Sequence, residues 1–312
     1  MKLVITGASG FLGQAFIRSV QSGMVPGYAG AQLVLLTHDA RRIPELVARY
    51  PGAEVYTLRD DIGRVQVEPM RNADVLLHLG WSTVPATAAL DPEMDHRTNV
   101  EGGMELLHAA GEAHVRRFIF LSSGGTVYGR ATELPIREDH PLLPLETYGA
   151  SKLAFEEMLG AWCSNTGMDY LILRPGNVYG STTGPNKPQG VVDHWLASVR
   201  RNAPVEVWHG LDVVRDLVHV EDMMEVMHRA VRYAGMEHVL NVGTGRGTSL
   251  AELQTLIAKV TGRKLQVVDR QEGTAAVMAN VLDNTRMRKA LGDVRFRTVE
   301  EGLAAVWRAM NA

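Results

Sequence analysis

The chain opens on a short apolar run, Lys2–Thr6, closed at once by Gly7-Ala8-Ser9-Gly10-Phe11-Leu12-Gly13 and then by a helical repeat of apolar positions. Comparable apolar runs recur at 33–37, 54–58, 74–79, 116–121 and 170–174, each bounded by turn-forming or polar residues. Runs of that length between turn signals predict strands buried on both faces. Between them lie longer stretches with helical spacing, notably 92–113 and 147–162. Strands alternating with helices at this interval predict a parallel sheet covered on both sides. After Arg174 the texture changes. Residues 175–190 are rich in Gly, Pro, Asn and Thr and read as a long loop, of the kind that is usually functional in a compact chain. Shorter strands and helices mix from 191 to 312, and Asn241-Val242-Gly243 reads as one more strand end recruited to the sheet. The predicted architecture is a doubly wound parallel sheet over residues 1–174 plus about 239–243, with a smaller mixed α/β domain from 175–238 and 244–312.

Ligands of such sheets bind beyond the carboxyl ends of the strands. Gly7, Asp61, Gly80, Ser122 and Pro175 all fall at that edge, which makes it the expected cofactor site. The first turn has the spacing G-x-x-G-x-x-G between a strand and a helix. Glycines there let the backbone approach a pyrophosphate, and the helix N-terminus supplies N–H groups and positive partial charge. A Rossmann-type unit that prefers NAD usually ends its second strand in an acidic residue on the ribose hydroxyls. Here that strand runs into Thr37-His38-Asp39-Ala40-Arg41-Arg42. Asp39 is the acidic candidate, Arg41 and Arg42 are candidates for a 2′-phosphate, and the choice between NAD and NADP stays open.

The strongest local chemistry lies in 147–162. Tyr148 and Lys152 stand at i and i+4, while Phe155, Met158, Leu159 and Trp162 mark the buried face of the same helix. Residues so spaced are neighbours, so phenol and ammonium project from one side. A cation there favours phenolate and lowers the Tyr pKa, which suits a general base near neutral pH.

Composition narrows the class. With 46% hydrophobic and 21% charged residues among 312, the chain has the makeup of a globular protein with a sizeable core. A formal net charge of −3 gives no electrostatic case for nucleic acid or an anionic membrane as partner. Cys163 is the sole cysteine, which excludes an intrachain disulfide and a multi-cysteine metal site, and its place in the Tyr148 helix predicts a buried thiol. No apolar run approaches the roughly 18–20 residues needed to span a bilayer. The strand-like start leaves no room for a signal peptide, so a cytoplasmic location is expected.

These pieces together resemble the extended short-chain dehydrogenase/reductases, specifically the nucleotide-sugar epimerase/dehydratase group. The matching marks are TGASGFLG at 6–13, DI at 61–62, HLGW at 78–81, NVEGG at 99–103 and SSGGTVYG at 122–129. They continue with YGASK at 148–152, LRPGNVYG at 173–180, RDLVHVED at 215–222 and NVGTG at 241–245, in the family's order over most of the chain. The resemblance implies NAD as cofactor, a nucleotide-diphosphate sugar as substrate, and a homodimer through the helices near 92–113 and 147–162. By position it implies a phosphate loop of Gly7, Gly10, Phe11, Leu12 and Gly13, with Asp61 and Ile62 beside the adenine and Leu79 and Gly80 lining the dinucleotide. Tyr148 would be the base, and Lys152 would hold the nicotinamide ribose. Asn177 and Arg215 would meet the substrate diphosphate, with Arg270 a further phosphate candidate. Trp208 and its neighbours 205–207 lie where the family grips the base. One position departs from the pattern. The family's Ser or Thr partner of the Tyr aligns with Gly124, which has no hydroxyl, and Thr126 or Ser123 is expected to replace it as donor to the substrate oxygen.

In the resembling 4,6-dehydratases an Asp–Glu pair stands where this chain has Gly125 and Thr126, and the combined 3,5-epimerase/reductases use a Cys at the position of Thr126. Neither Gly nor Thr shuttles protons at neutral pH, so both activities are disfavoured. Simple C4 oxidation–reduction remains. The expected activity is a nucleotide-sugar 4-epimerase that oxidises C4 transiently with bound NAD and returns the hydride to the opposite face. A 4-keto reductase drawing on NAD(P)H is the alternative. A non-catalytic NAD(P)-binding sensor is the alternative of a different class, and the intact Tyr148–Lys152 pair speaks against it.

Overall fold

The computed structural model describes residues 1–21, 28, 30–42, 44–45, 48, 53–57, 67–180, 190–270 and 277–311. Asp61 and Ile62, expected beside the adenine, lie outside the described residues, as does 181–189 of the expected loop. Strands β1 (Lys2–Thr6), β2 (Gln32–Thr37), β3 (Glu54–Thr57), β4 (Val75–His78), β5 (Arg117–Leu121) and β6 (Asp169–Pro175) stand in the order β3-β2-β1-β4-β5-β6. A seventh strand, Val239–Val242, closes the sheet beside β6, and every neighbouring pair is parallel. Such strands show apolar side chains to both faces, which is why they read as unbroken runs in the sequence. Along β1, Leu3 and Ile5 join the core on one face and Val4 the core on the other. The first face is covered by the helices Phe11–Gln21 and Val220–Arg232, through Phe16, Ile17, Met223 and Met227. The second is covered by Gly102–Glu112 and Thr147–Thr166, through Leu106, Leu107, Phe155, Leu159 and Cys163.

Those last two helices approach each other closely. A Cβ on Gly103 would lie 2.5 Å from the Phe155 ring, and one on Gly111 would lie 3.3 Å from Trp162. Much of their apolar surface is thereby spent on the sheet and on each other, with Met104, Met158 and Trp162 only partly buried. The helical stretch predicted over 92–113 is present, with a change of winding inside it. One α-helical turn, Pro92–Asp95, runs into a π-helical segment, His96–Glu101, which continues as the α-helix Gly102–Glu112. The wider turn accompanies a buried polar cluster: Asp95 accepts hydrogen bonds from Thr83, Ser151 and Asn99, and Asn99 Oδ1 accepts from Ser82 N at 2.9 Å.

The predicted loop at 175–190 contains a strand, Asn177–Tyr179, which pairs parallel with Val214–His219. Pairing along the neighbouring backbone supplies what this short Gly- and Asn-flanked run lacks in length. The remaining segments pack around Trp195, Leu196, Leu253, Ile257 and Leu303. Buried Asp216 ties this region to the sheet edge by accepting from Thr244 N at 2.9 Å, Gly245 N at 3.2 Å and Leu282 N at 3.2 Å. Among the described residues no helix is long and apolar enough to cross a membrane.

Candidate active site

The strand order reverses between β1 and β4, and the turns after those strands face each other there. Gly7 has φ +67°, and a Cβ on it would lie 2.7 Å from Gly80 Cα. A Cβ on Gly13 would run into Gly7 O. Gly10 N donates to Gly7 O at 2.9 Å, which fixes the turn, and the Phe11–Gln21 helix starts directly behind it. Gly80 N donates to Thr6 Oγ1 at 3.1 Å, and the same hydroxyl pairs with His78 Nδ1 at 2.7 Å. The result is a notch free of side chains, floored by backbone and headed by a helix N-terminus, which fits a pyrophosphate. Phe11, Leu12 and Leu79, next to these glycines in sequence, pack partly buried against the core.

At the end of β2 the expected ribose contact is already engaged. Asp39 Oδ1 accepts from Arg41 Nε at 2.9 Å, and that bond holds the Asp39 carboxyl below its usual range. Arg42 donates to Ser9 O at 2.7 Å. Arg42 is thus held on the backbone of the glycine turn, whereas Arg41 stays exposed beside Asp39.

Tyr148 and Lys152 lie on the Thr147–Thr166 helix as expected. Lys152 is buried, donates from Nζ to Leu121 O at 2.7 Å, and sits 3.8 Å from the centre of the Trp81 ring. An ammonium has three donors, and that is its one hydrogen bond among the described residues, so it retains capacity for ribose hydroxyls. Burial lowers the Lys152 pKa, while the carboxylates of Glu156 and Asp95 oppose that shift. The expected depression of the Tyr148 pKa is not what this arrangement produces. Burial first and the Asp95 charge second push the phenol up, since the ammonium is held against Leu121 O and Trp81, 5.7 Å from the Tyr148 ring.

The loop 122–129 sorts its side chains in a way the sequence does not show. Ser122, expected at the cofactor, donates its hydroxyl to Glu156 in the interior, and Glu156 also binds Arg174 through Nε at 3.0 Å. Its side chain is therefore part of a buried network, which Arg174 Nη1 extends to Tyr128 OH at 2.9 Å. Gly124 faces inward as well. A Cβ there would lie 2.7 Å from Leu282 Cδ1 and 2.9 Å from Arg174 O. A side chain at 124 would thus start from a carbon pressed into packing. Pro175 is likewise buried, at the end of β6.

Ser123 and Thr126 do reach the open side. Together with Tyr148, Asn177 and Arg215 they line a cleft of about 420 Å3. Glu146 and His209 line it too, and the sequence reading had named neither. Glu146 had one signal, its place directly before the Tyr148 helix; His209 had none. An adjoining pocket of about 230 Å3 shares Asn177, His209 and Arg215 and adds Trp208 and Glu206. Arg215 is mostly enclosed. Burial lowers its pKa, opposed by the charge of Glu146. Arg270 does not line either space; it is paired with Glu206 at the rim. The structure therefore unites five expected substrate-side residues and leaves Arg270 outside.

A parallel sheet whose strand order reverses above a backbone-lined notch is the architecture of the Rossmann-type dinucleotide-binding proteins. Residues 3–243 match the NAD dependent epimerase/dehydratase family, and the chain belongs to that family. It is 29% identical over 307 residues to a UDP-glucose 4-epimerase of Mycolicibacterium smegmatis, covering 97% of this chain and 96% of that protein. It is 26% identical over 259 residues to a dTDP-4-dehydro-6-deoxyglucose reductase of Escherichia coli, covering 80% of this chain and 79% of that one. The solved UDP-glucose 4-epimerase of Thermotoga maritima, a complex with UDP-glucose, superposes with a TM-score of 0.87 at 27% identity, over 100% of this chain and 99% of that chain.

Proposed function

We propose that this chain is an NAD-dependent nucleotide-sugar 4-epimerase whose substrate is a UDP-hexose. The observation that carries the reading is the composition of one cleft. Tyr148 shares it with Asn177 and Arg215, while the loop beside them contributes only Ser123, Gly125 and Thr126. That loop has no carboxylate or thiol for the additional proton transfers of a dehydratase or a 3,5-epimerase.

Bound NAD would supply reversible acceptance of the C4 hydride. Tyr148 Oη takes the C4 hydroxyl proton and later returns it to the same oxygen. Ser123 or Thr126 donates a hydrogen bond to that oxygen as it becomes a carbonyl. Lys152 binds ribose hydroxyls with the donors that Leu121 O leaves free. Burial lowers the Lys152 pKa, and the Glu156 and Asp95 carboxylates oppose that shift in part. Arg215 and Asn177 hold the diphosphate, so the hexose can present either face while its anchor stays in place. The adjoining pocket with Trp208 takes the base. An acidic residue, Asp39, just past the end of the second strand supports NAD over NADP. On this reading residues 1–174 with 239–243 hold the cofactor, and 175–238 with 244–312 the sugar nucleotide. A homodimer through the two helices covering the second sheet face is part of the proposal, supported by the half-buried Met104, Met158 and Trp162.

The test is conversion of UDP-galactose to UDP-glucose by NAD-loaded protein, with no added reductant. Tyr148→Phe is expected to retain NAD and lose turnover. Failure to interconvert any UDP-hexose refutes the proposal, and NADPH consumption with a 4-keto sugar would select the reductase instead.

A further inference from the structure

Among the described residues that line the cleft there is one carboxylate, and the reaction does not use it. Glu146 is the residue directly before the Thr147–Thr166 helix and makes no side-chain cap to it. It is exposed, and it lines the same space as Tyr148 and Arg215. We propose that Glu146 makes this cleft selective for nucleotide sugars with an uncharged hexose and excludes hexuronic acids. The inference rests on the epimerase reading above and goes beyond it by naming the charge class of the sugar.

The charges along the cleft decide the point. Among the described lining residues, Arg215 and His209 are the ones able to form cations, and Glu146 is the one carboxylate. Both cation-formers also line the adjoining pocket, so they lie toward the nucleotide end, whereas Glu146 lines the Tyr148 side alone. In the free protein the Glu146 charge acts on Arg215 across the cleft. A diphosphate bound at Arg215 claims that guanidinium, leaving Glu146 without it and facing the hexose. Neutral sugars offer hydroxyl donors to a carboxylate acceptor, which is an attractive contact. A C6 carboxylate offers a second negative charge in a partly desolvated space with no further described cation to neutralise it. Discrimination then comes from an attractive element for one class and a repulsive element for the other. Since Glu146 is solvent-exposed, screening limits the effect to on the order of tenfold to a hundredfold.

The experiment compares UDP-glucose with UDP-glucuronic acid on the NAD-loaded protein. It measures kcat/KM for each, and dissociation constants by calorimetry on Tyr148→Phe so that binding is read apart from chemistry. The parent is expected to prefer UDP-glucose by at least about tenfold in both measurements. Glu146→Gln should narrow that ratio by about tenfold, and Glu146→Lys should narrow it further or invert it. Equal binding of the two sugars to the parent, or a ratio that Glu146→Gln leaves unchanged, overturns this inference while leaving the epimerase reading intact. No binding of either sugar overturns both.

Discussion

Restoring a hydroxyl at Gly124, where the family usually has one, should not improve this protein. The position is buried, and a Cβ would lie 2.7 Å from Leu282 Cδ1, 2.9 Å from Arg174 O and 3.2 Å from Leu282 Cδ2. Neither neighbour yields easily. Leu282 is fully buried with its own N–H bound to Asp216, and Arg174 O belongs to a central strand. Overpacking of this kind costs about 1–3 kcal/mol. A Ser hydroxyl forced into the site adds a buried polar group worth about 1–3 kcal/mol if unpaired, and reduced freedom in the unfolded chain returns about 0.4–1 kcal/mol. The net loss for Gly124→Ser is then about 1–5.5 kcal/mol, or a fall in Tm of roughly 2–8 °C for a protein of this size. Gly124→Ala should show the steric part alone. Thermal unfolding of both variants reads the cost, and the UDP-galactose assay reads the chemistry. Ser123→Ala and Thr126→Ala are the comparison, since those side chains line the cleft. A Gly124→Ser protein that melts with the parent, or turns over faster, would show that position 124 faces the substrate and that the packing argument is wrong.

Three further outcomes follow from the geometry. Gly7→Ala places a Cβ 2.7 Å from Gly80 Cα at φ +67°, so NAD affinity measured by equilibrium dialysis should fall by more than about tenfold; unchanged affinity would remove the notch from cofactor binding. Glu156→Gln leaves the buried Arg174 without its anion and should cost about 3–5 kcal/mol in urea unfolding, with a change below about 1 kcal/mol counting against the network. Burial pushes the pKa values of His78, His219 and His228 down to about 3, about 4 and about 4. Unfolded histidines titrate near about 6.5, so these three are neutral when folded and take up protons on unfolding. Their contribution is therefore full above about pH 6.5 and is lost as pH falls toward about 4, and a urea midpoint that stays flat over that window refutes it.

Much of this protein is set by neighbours in sequence. The six runs that read as strands each contain a sheet strand, with ends shifted by a residue or two, because burial on both faces demands uninterrupted apolar residues. The predicted turn forms at Gly7 through Gly13 because Gly7 takes a positive φ and a Cβ on Gly7 or Gly13 would run into neighbouring backbone. Tyr148 and Lys152 share a helix side because helical geometry alone brings i and i+4 together. Other features depend on which way a side chain turns once distant segments meet. Ser122 and Ser123 are adjacent and identical, yet Glu156 claims the hydroxyl of the first while the second lines the cleft. Arg270 read as a phosphate ligand until the parallel pairing of Val267–Asp269 with Val205–Val207 set it against Glu206. Lys152 finds Leu121 O and Trp81 before it finds Tyr148, which reverses the sign of the expected phenol shift. Periodicity within one element reports local burial and spacing, whereas the partner of a charge or hydroxyl is chosen by contacts across the fold, for which sequence carries no repeating signal.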